Sequence, residues 1–328
     1  MKKTKSFRLF CSFSLVAMLI LVLSCSKPAP QVMEKITVDG KEVTFALREV
    51  PAGKFIINKT NWANKAGTLL TMTITKPYLM AETEVTRELW EAVMQTDPNF
   101  FQRTLANNEV KGEDQTKLPE TTITWHQAIA FCNKLSLITG LTPVYSVKVD
   151  DVEVDWKNLV YKDIPRVSDN KEWNSPEVDW SANGYRLPTE MEWMWAAMGA
   201  DSAKQGKVNE TGYQKAFAGD KIPASKALDE YVWHKGNSDK KTHQVGLKKT
   251  NELGLFDMSG NGNEWCWDRY EAYPGDEIDY TGHAAAFYRV VRGGSVHSFN
   301  GADDCTVSSR SSGAPNNGSY GFRIVRNK

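Results

Sequence analysis

GLFDMSGNGNEWCWD (Gly254–Asp268) and RVVRGGSVHSFNGADDCTVSSRSSGAPNNGSYGFRIV (Arg289–Val325) decide how this 328-residue chain is read. In the second stretch, Arg, Gly and aromatic residues bracket a run of small polar residues. Between Ser295 and Tyr320 there is no Lys, Glu, Gln, Met or Trp, and the gap extends from Ile278 to Asn327. Those five types make up roughly a quarter of the chain, so about six would be expected in a window of that size. The frame around the window has the composition of a packed fold, whereas the window has that of a surface.

The first 24 residues read as a leader. Lys2, Lys3, Lys5 and Arg8 form a basic start, Leu9 to Leu23 is almost wholly apolar, and Val22-Leu23-Ser24-Cys25 has the form of a lipobox ending in a lipidated Cys. About fifteen apolar residues are too few for a comfortable membrane span, so the blander alternative is a plain signal peptide or a short anchor. The formal net charge is zero; without the four leader cations it becomes about −4, and no basic run of five or more occurs. Nucleic-acid binding therefore has no electrostatic support. With 41% hydrophobic residues and 11 Trp, the remainder can build a substantial core. Once Cys11 and Cys25 are set aside, Cys132, Cys266 and Cys305 remain, which allows one disulfide at most. Cys266 and Cys305 could pair, or all three could be small buried hydrophobes.

Ser26 to Gln31 is a short Pro-containing tether, and Ile36 to Leu47 alternates around Asp39-Gly40 as a hairpin would. No Pro- or Gly-rich linker interrupts Arg48 to Lys328, and one domain is expected there. The spacing predicts three helices. Thr86 caps the first, which runs to about Gln95 with Leu89, Trp90, Val93 and Met94 on one face. Thr124 and Gln127 form a capping box opening Trp125 to Ile138, stopped by Gly140. Thr189 and Glu192 form a second box, and its helix places Met191, Met194, Trp195 and Met198 on a core stripe. Beyond these the strand-like runs are short and the loops long, which gives an α+β class rich in irregular structure anchored by scattered Trp side chains.

Six blocks then carry a resemblance: REVPAGKFIIN (Arg48–Asn58), AETEVTRELWEAVM (Ala81–Met94), LPETTITWHQAIAFCNKLS (Leu118–Ser136), YRLPTEMEWMWAAMGA (Tyr185–Ala200), NELGLFDMSGNGNEWCWD (Asn251–Asp268) and RGGS…GFR (Arg292–Arg323). In this order they resemble the formylglycine-generating enzyme (sulfatase-modifying factor) family, which implies a C-type-lectin-like fold. The expected organisation is a lipoprotein signal peptide over 1–24, a tether and N-terminal segment over 25–47, and the family domain over 48–328 with a variable region at about 289–325. The family's oxidases hold copper and oxidise a substrate thiol with a pair of Cys just after the RGGS block. By position the pair would fall at Ser298 and Asp303, and neither is Cys. A hydroxyl and a carboxylate cannot replace two soft thiolates for Cu(I), so neither copper nor oxidase activity is expected.

The sequence is most similar to one branch of the family, the variable proteins of diversity-generating retroelements, with spirochaete-type variable lipoproteins among them. In that branch the C-terminal segment is rewritten at adenines, largely in AAC and AAT codons. Codons that keep a terminal pyrimidine can never encode Lys, Glu, Gln, Met or Trp, which is the set absent from Ser295 to Tyr320. The resemblance implies a fixed frame, with Gly293 and Gly294 in tight backbone and Arg292, Arg310 and Arg323 tying loops down through charge-assisted hydrogen bonds. It also implies a ligand-binding surface made by Val296, His297, Ser298, Phe299, Asn300, Asp303, Asp304, Thr306, Ser308, Ser309, Ser311, Ser312, Ala314, Asn316, Asn317, Ser319 and Tyr320. Tyr and Phe would supply contact area there, and Ser and Asn adaptable hydrogen bonds, as in paratopes.

Asp257, Ser259, Asn261, Gly262 and Asp268 fall at positions of an EF-hand-like loop, although Asp in place of the closing Glu weakens the match. The resemblance implies a different calcium site, at Ser259, Gly260, Gly262 and Glu264; otherwise Glu264 and Asp268 would pair with Arg269 or cap loops. The five His residues lack paired-ligand spacing, and no P-loop or nucleophile elbow occurs. The expectation is thus a non-catalytic, exported and lipid-anchored monomer at the outer membrane or cell surface, binding an unknown protein or surface glycan. The alternatives are a formylglycine-generating-type oxidase or other metalloenzyme of the family, and a fixed adhesive lipoprotein. Metabolic labelling with a fatty acid checks the anchor: the native chain should take up label and Cys25→Ser none, and label retained by the variant would rule out this lipobox.

Overall fold

Asp39 and Gly40 both adopt positive φ, 50° and 78°, the backbone of a two-residue turn whose twist matches that of the strands it joins. They close the expected hairpin, which is longer than the sequence suggested, pairing Gln31 with Arg48 at its open end. In this computed structural model the described residues are 28–58, 69–96, 110–166, 170–201, 216–219 and 228–328. The leader and Cys25 lie outside them.

The main strands in chain order are β1 (Gln31–Val38), β2 (Lys41–Val50), β3 (Gly53–Asn58), β4 (Leu69–Ile74), β5 (Tyr78–Ala81), β6 (Tyr185–Arg186), β7 (Glu264–Arg269), β8 (Glu277–Ile278), β9 (Arg289–Arg292), β10 (Ser311–Gly313) and β11 (Val325–Asn327). They form a five-stranded sheet in the order β1-β2-β5-β11-β6 and two three-stranded sheets, β7-β9-β10 and β8-β4-β3. Most strands are short, as the sequence implied, and the described architecture is the α+β class expected of a C-type-lectin-like domain.

Helices α1 (Arg87–Met94), α2 (Trp125–Ile138) and α3 (Glu190–Ala197) begin where their caps place them. Thr124 and Thr189 each accept from the backbone three residues on, and Gln127 and Glu192 return the bond, so both capping boxes are complete. Helix α3 differs from the expected stripe: every residue in it is buried, Glu190 and Glu192 included. It runs through the interior between the sheets, so no face of it meets water, and its two carboxylates must find cations inside.

The core has two main clusters. In one, Trp90 stacks on Phe131 with ring centroids 5.5 Å apart, and Phe322 meets Phe131 edge-on at 5.2 Å. In the other, Met191, Trp193 and Trp195 of α3 pack with Met80, Cys266 and Val290. Cys305 belongs to a third, small cluster with Phe217 and Val232. The possible Cys266–Cys305 disulfide is therefore not formed: all three described thiols are free and buried, each packed among different apolar side chains. Burial raises the Cys266 thiol well above its usual range and pushes Cys305 up to about 12.

Trp90 is fully buried, and its ring joins α1 to α2 and to the C-terminal Phe322. Trp90→Ala should cost about 3–5 kcal/mol, read as a lowered denaturant midpoint; a loss below about 1 kcal/mol would show that this stack does not hold the helices together.

Candidate functional site

The C-terminal segment leaves β9 through Gly293 and Gly294, whose φ values are 91° and 71°. A Cβ on Gly294 would stand 2.3 Å from the Asp304 carbonyl oxygen, so the backbone here passes too close to the segment's far side for any side chain. The chain then makes a 3-10 turn over Gly301–Cys305 and returns as β10, antiparallel to β9.

Three guanidinium groups fix this path. The Nη1 group of Arg292 donates to the carbonyls of Val307, Ser308 and Ser309 at 3.3, 3.2 and 2.8 Å, and its Nη2 pairs with the Glu190 carboxylate. Arg310 approaches the same carboxylate as a fork, Nε to Oε1 at 2.7 Å and Nη2 to Oε2 at 2.8 Å. The Tyr273 hydroxyl donates to Glu190 Oε1 at 2.9 Å. Arg323 forks onto Glu264 at 2.7 and 2.6 Å and donates to the Phe256 carbonyl at 3.0 Å. The loop-tying role expected of these arginines is thus met, with Glu190 and Glu264 as partners that the sequence did not identify.

Of the seventeen residues expected to face a ligand, His297, Phe299, Asn300, Asp303, Ser311 and Ser319 are exposed. Ser298, Asp304, Thr306, Ser308, Ser309, Ser312, Ala314, Asn316, Asn317 and Tyr320 are half-buried. Phe299 is 87% exposed and lies beside Lys235, whose Nζ sits 5.8 Å from the ring centroid. Tyr320 sets its ring edge-on against Trp265 at 4.8 Å, so it is half anchor and half surface. Val296 is a correction: its side chain is completely buried and its N–H donates to the Asn261 carbonyl at 3.2 Å, which makes it part of the frame. At the positions of the family's oxidase thiols, the Ser298 hydroxyl accepts from the Ser295 N–H at 2.8 Å, and Asp303 is solvent-facing.

The calcium expectation does not fit the residues present. Both Glu264 oxygens are engaged, Oε1 by Arg323 and Oε2 by Arg323 and by Trp193 Nε1 at 2.7 Å, so the proposed ligand set loses its one anion to a neighbouring cation. The Ser259 hydroxyl accepts from the Ala218 N–H at 3.1 Å. Nor does the EF-hand-like spacing form a loop, because Glu264 to Arg269 is strand β7. Asp257 accepts from the Gly246 N–H and Asp268 from the Glu190 N–H, so the two carboxylates are committed to different places. Arg269 pairs with neither Glu264 nor Asp268; it bonds instead to the carbonyls of Ala286 and Asn174. Among the described residues no group of three or more His, Cys, Asp or Glu side chains could hold a metal.

Charge sets the frame's pH response. Burial alone would raise Glu190, but the facing Arg310 and Arg292 outweigh it and hold the carboxyl down at about 2. At Asp268 the balance is reversed: burial, reinforced by the Glu190 charge, outweighs Arg310 and the Glu190 N–H and pushes it up to about 8. Sequence reasoning also missed Arg289, a fully buried cation 3.6 Å from the Trp125 ring centroid. Its signal was available, an Arg opening a strand of apolar residues.

A family model described as a sulfatase-modifying factor enzyme 1-like domain matches residues 36–328. Among solved structures, Treponema denticola variable protein 1 is similar over 90% of this chain and 99% of its own, with 36% identity and a TM-score of 0.76. CarF is similar over 86% of this chain and 98% of its own, at 26% identity and a TM-score of 0.56. The chaperone protein LppX of Paenibacillus barcinonensis is 31% identical over 226 residues, 67% of this chain and 70% of its own length.

An Asp whose folded pKa lies above its unfolded value near 3.9 stabilises fully below that value, and the benefit falls away as pH rises towards the folded pKa. For Asp268 the decline runs from about 4 to about 8. Glu190 behaves oppositely, its contribution being present above about 4.3 and lost as pH drops towards about 2. Asp268→Asn, which can still accept the Glu190 N–H, should flatten the decline in melting temperature between pH 4 and 8. An unchanged slope would show that Asp268 ionises freely. Glu190→Gln leaves two buried cations short of an anion and should cost about 3–5 kcal/mol at neutral pH.

Proposed function

The chain belongs to the sulfatase-modifying factor enzyme 1-like family, and from that membership we propose that it is a non-catalytic, surface-displayed binding lipoprotein whose C-terminal segment is diversified by a retroelement. One observation carries the reading. Glu190 and two arginines clamp the backbone of the segment from beneath, while between the clamps His297, Phe299, Asn300 and Asp303 face solvent and Val296, Cys305 and Val307 point into the interior. Backbone fixed at the frame and freedom left at the surface is what a diversified binding face needs, because the solvent-facing side chains can change without disturbing the core. The Treponema denticola variable protein 1, similar over nearly its whole length, supports the same reading.

Catalysis has little support at the corresponding position. Ser298 and Asp303 offer no thiol. Clefts of 290 and 420 Å³ open elsewhere, one lined by Trp180, Arg186 and Tyr280 and the other by Val38, Lys134 and Trp156. The partner is a protein or a surface glycan, met by Phe299 and Tyr320 as apolar contacts among Ser and Asn hydroxyls and amides. Export, the Cys25 anchor and a monomeric state belong to the same proposal.

The DNA beyond the gene tests diversification: a near-copy of the 3′ end, differing at adenines and accompanied by a reverse transcriptase gene, is expected, and its absence would leave a fixed adhesive lipoprotein. The non-catalytic half is tested separately. Purified protein given copper, dioxygen and a sulfatase-type Cys peptide should leave the peptide unchanged, and conversion of its Cys to formylglycine would overturn that half.

A further inference from the structure

The chain contains four Asn–Gly pairs, Asn183-Gly184, Asn261-Gly262, Asn300-Gly301 and Asn317-Gly318. Such a pair is where an Asn side chain is most open to attack by the following backbone nitrogen, since Gly has no Cβ to obstruct the approach. The reaction needs a free glycine amide and an Asn side chain able to swing over it. The four sites differ in how the fold restrains the glycine and the Asn side chain.

Asn261 is completely buried, with its side chain bonded to both the N–H and the carbonyl of His243, and the Gly262 N–H is given to Glu84 at 3.2 Å. Asn300 donates through Nδ2 to Asp304 at 3.0 Å, and the Gly301 N–H is given to the Ser298 carbonyl at 3.1 Å. The Asn183 side-chain oxygen accepts from the Thr142 N–H at 2.9 Å, and Gly184 is buried where a Cβ would lie 2.2 Å from the Thr142 carbonyl oxygen. At the fourth site the preceding turn ends on Asn317, whose N–H donates to Ala314 at 2.8 Å. Gly318 is exposed, belongs to no helix or strand, and among the described residues its N–H donates no hydrogen bond. The half-buried Asn317 side chain lies beside the Tyr320 hydroxyl.

We propose that Asn317 is a site of spontaneous deamidation in the folded protein, and that the other three pairs are protected by the fold. The Gly318 nitrogen attacks Asn317 Cγ; the new C–N bond closes a five-membered succinimide, the Gly318 proton is lost, and the side-chain nitrogen leaves as ammonia. Water then opens either carbonyl of the ring, giving Asp or isoaspartate, with no change of oxidation state and water as the only co-reactant. Each event places a carboxylate among Asn316, Ser319 and Tyr320, and the isoaspartyl product reroutes the backbone there through the side chain. The chemistry does not depend on whether this surface binds a ligand, so the two readings fail separately.

Peptide mapping by mass spectrometry after incubation at mildly alkaline pH tests the proposal. In the folded protein, acid and isoaspartyl products should accumulate at Asn317 while Asn183, Asn261 and Asn300 stay intact. In protein unfolded with urea, all four should react. Gly318→Ala keeps the fold, because its added Cβ would sit at an ordinary 3.6 Å from the Thr122 carbonyl oxygen, and it should abolish the Asn317 products. Asn317 remaining as intact as Asn300 in the folded chain would overturn the proposal, as would equal modification at all four sites without urea.

Discussion

Two guanidinium groups and one phenol converge on the Glu190 carboxylate at a point closed to solvent. Charges so placed are stable only while all are present, since each alone would carry the cost of leaving water. Arg292 opens the segment and Arg310 stands late in it, so a single carboxylate on α3 fastens both ends of the intervening loop to the interior. The Glu190 N–H in turn goes to Asp268 at the end of β7, which links the helix, the strand and the loop in one chain of polar contacts. Arg323 and Glu264 repeat the device a little further on, both with no exposed side-chain surface.

Features set by near neighbours could be read from the sequence. The two capping boxes, the Asp39-Gly40 turn and the start of every main helix need only residues within about four positions of one another. The ion-pair hubs could not be read that way. Glu190 lies 102 positions from Arg292 and 120 from Arg310, and nothing local in the α3 segment marks Glu190 as different from Glu192, which caps its own helix and pairs with Arg186. The calcium expectation meets an obstacle of the same kind. The spacing from Asp257 to Asp268 resembles a binding loop, but its second half is a strand, and Glu264 of the implied ligand set pairs with an arginine 59 positions away.

The candidate surface shows the same division. Its outline was legible, because a run without Lys, Glu, Gln, Met or Trp has few long side chains to pack with, Arg310 being the exception. The exception, Val296, sits within two residues of the Gly pair and follows the frame inward, where it is fully buried. Tyr320 occupies the opposite margin, with its ring edge-on to Trp265 and its backbone joined to Ile123. Outward-facing side chains therefore begin after Val296 and end at Tyr320, a boundary set by packing partners contributed from elsewhere in the chain.

Strand β11, the last piece of regular structure, lies between β5 and β6 inside the five-stranded sheet, and it follows the exposed segment almost directly. The sheet therefore cannot close until the segment has been made in full and in frame. A copy carrying a premature stop or a shifted reading frame anywhere between Ser295 and Tyr320 lacks the strand that joins β5 to β6, along with Phe322 and Arg323 beneath it. A substitution on the exposed face leaves this sheet in place, whereas an error of length or frame removes the strand on which the sheet closes, so only a full-length, in-frame chain can fold.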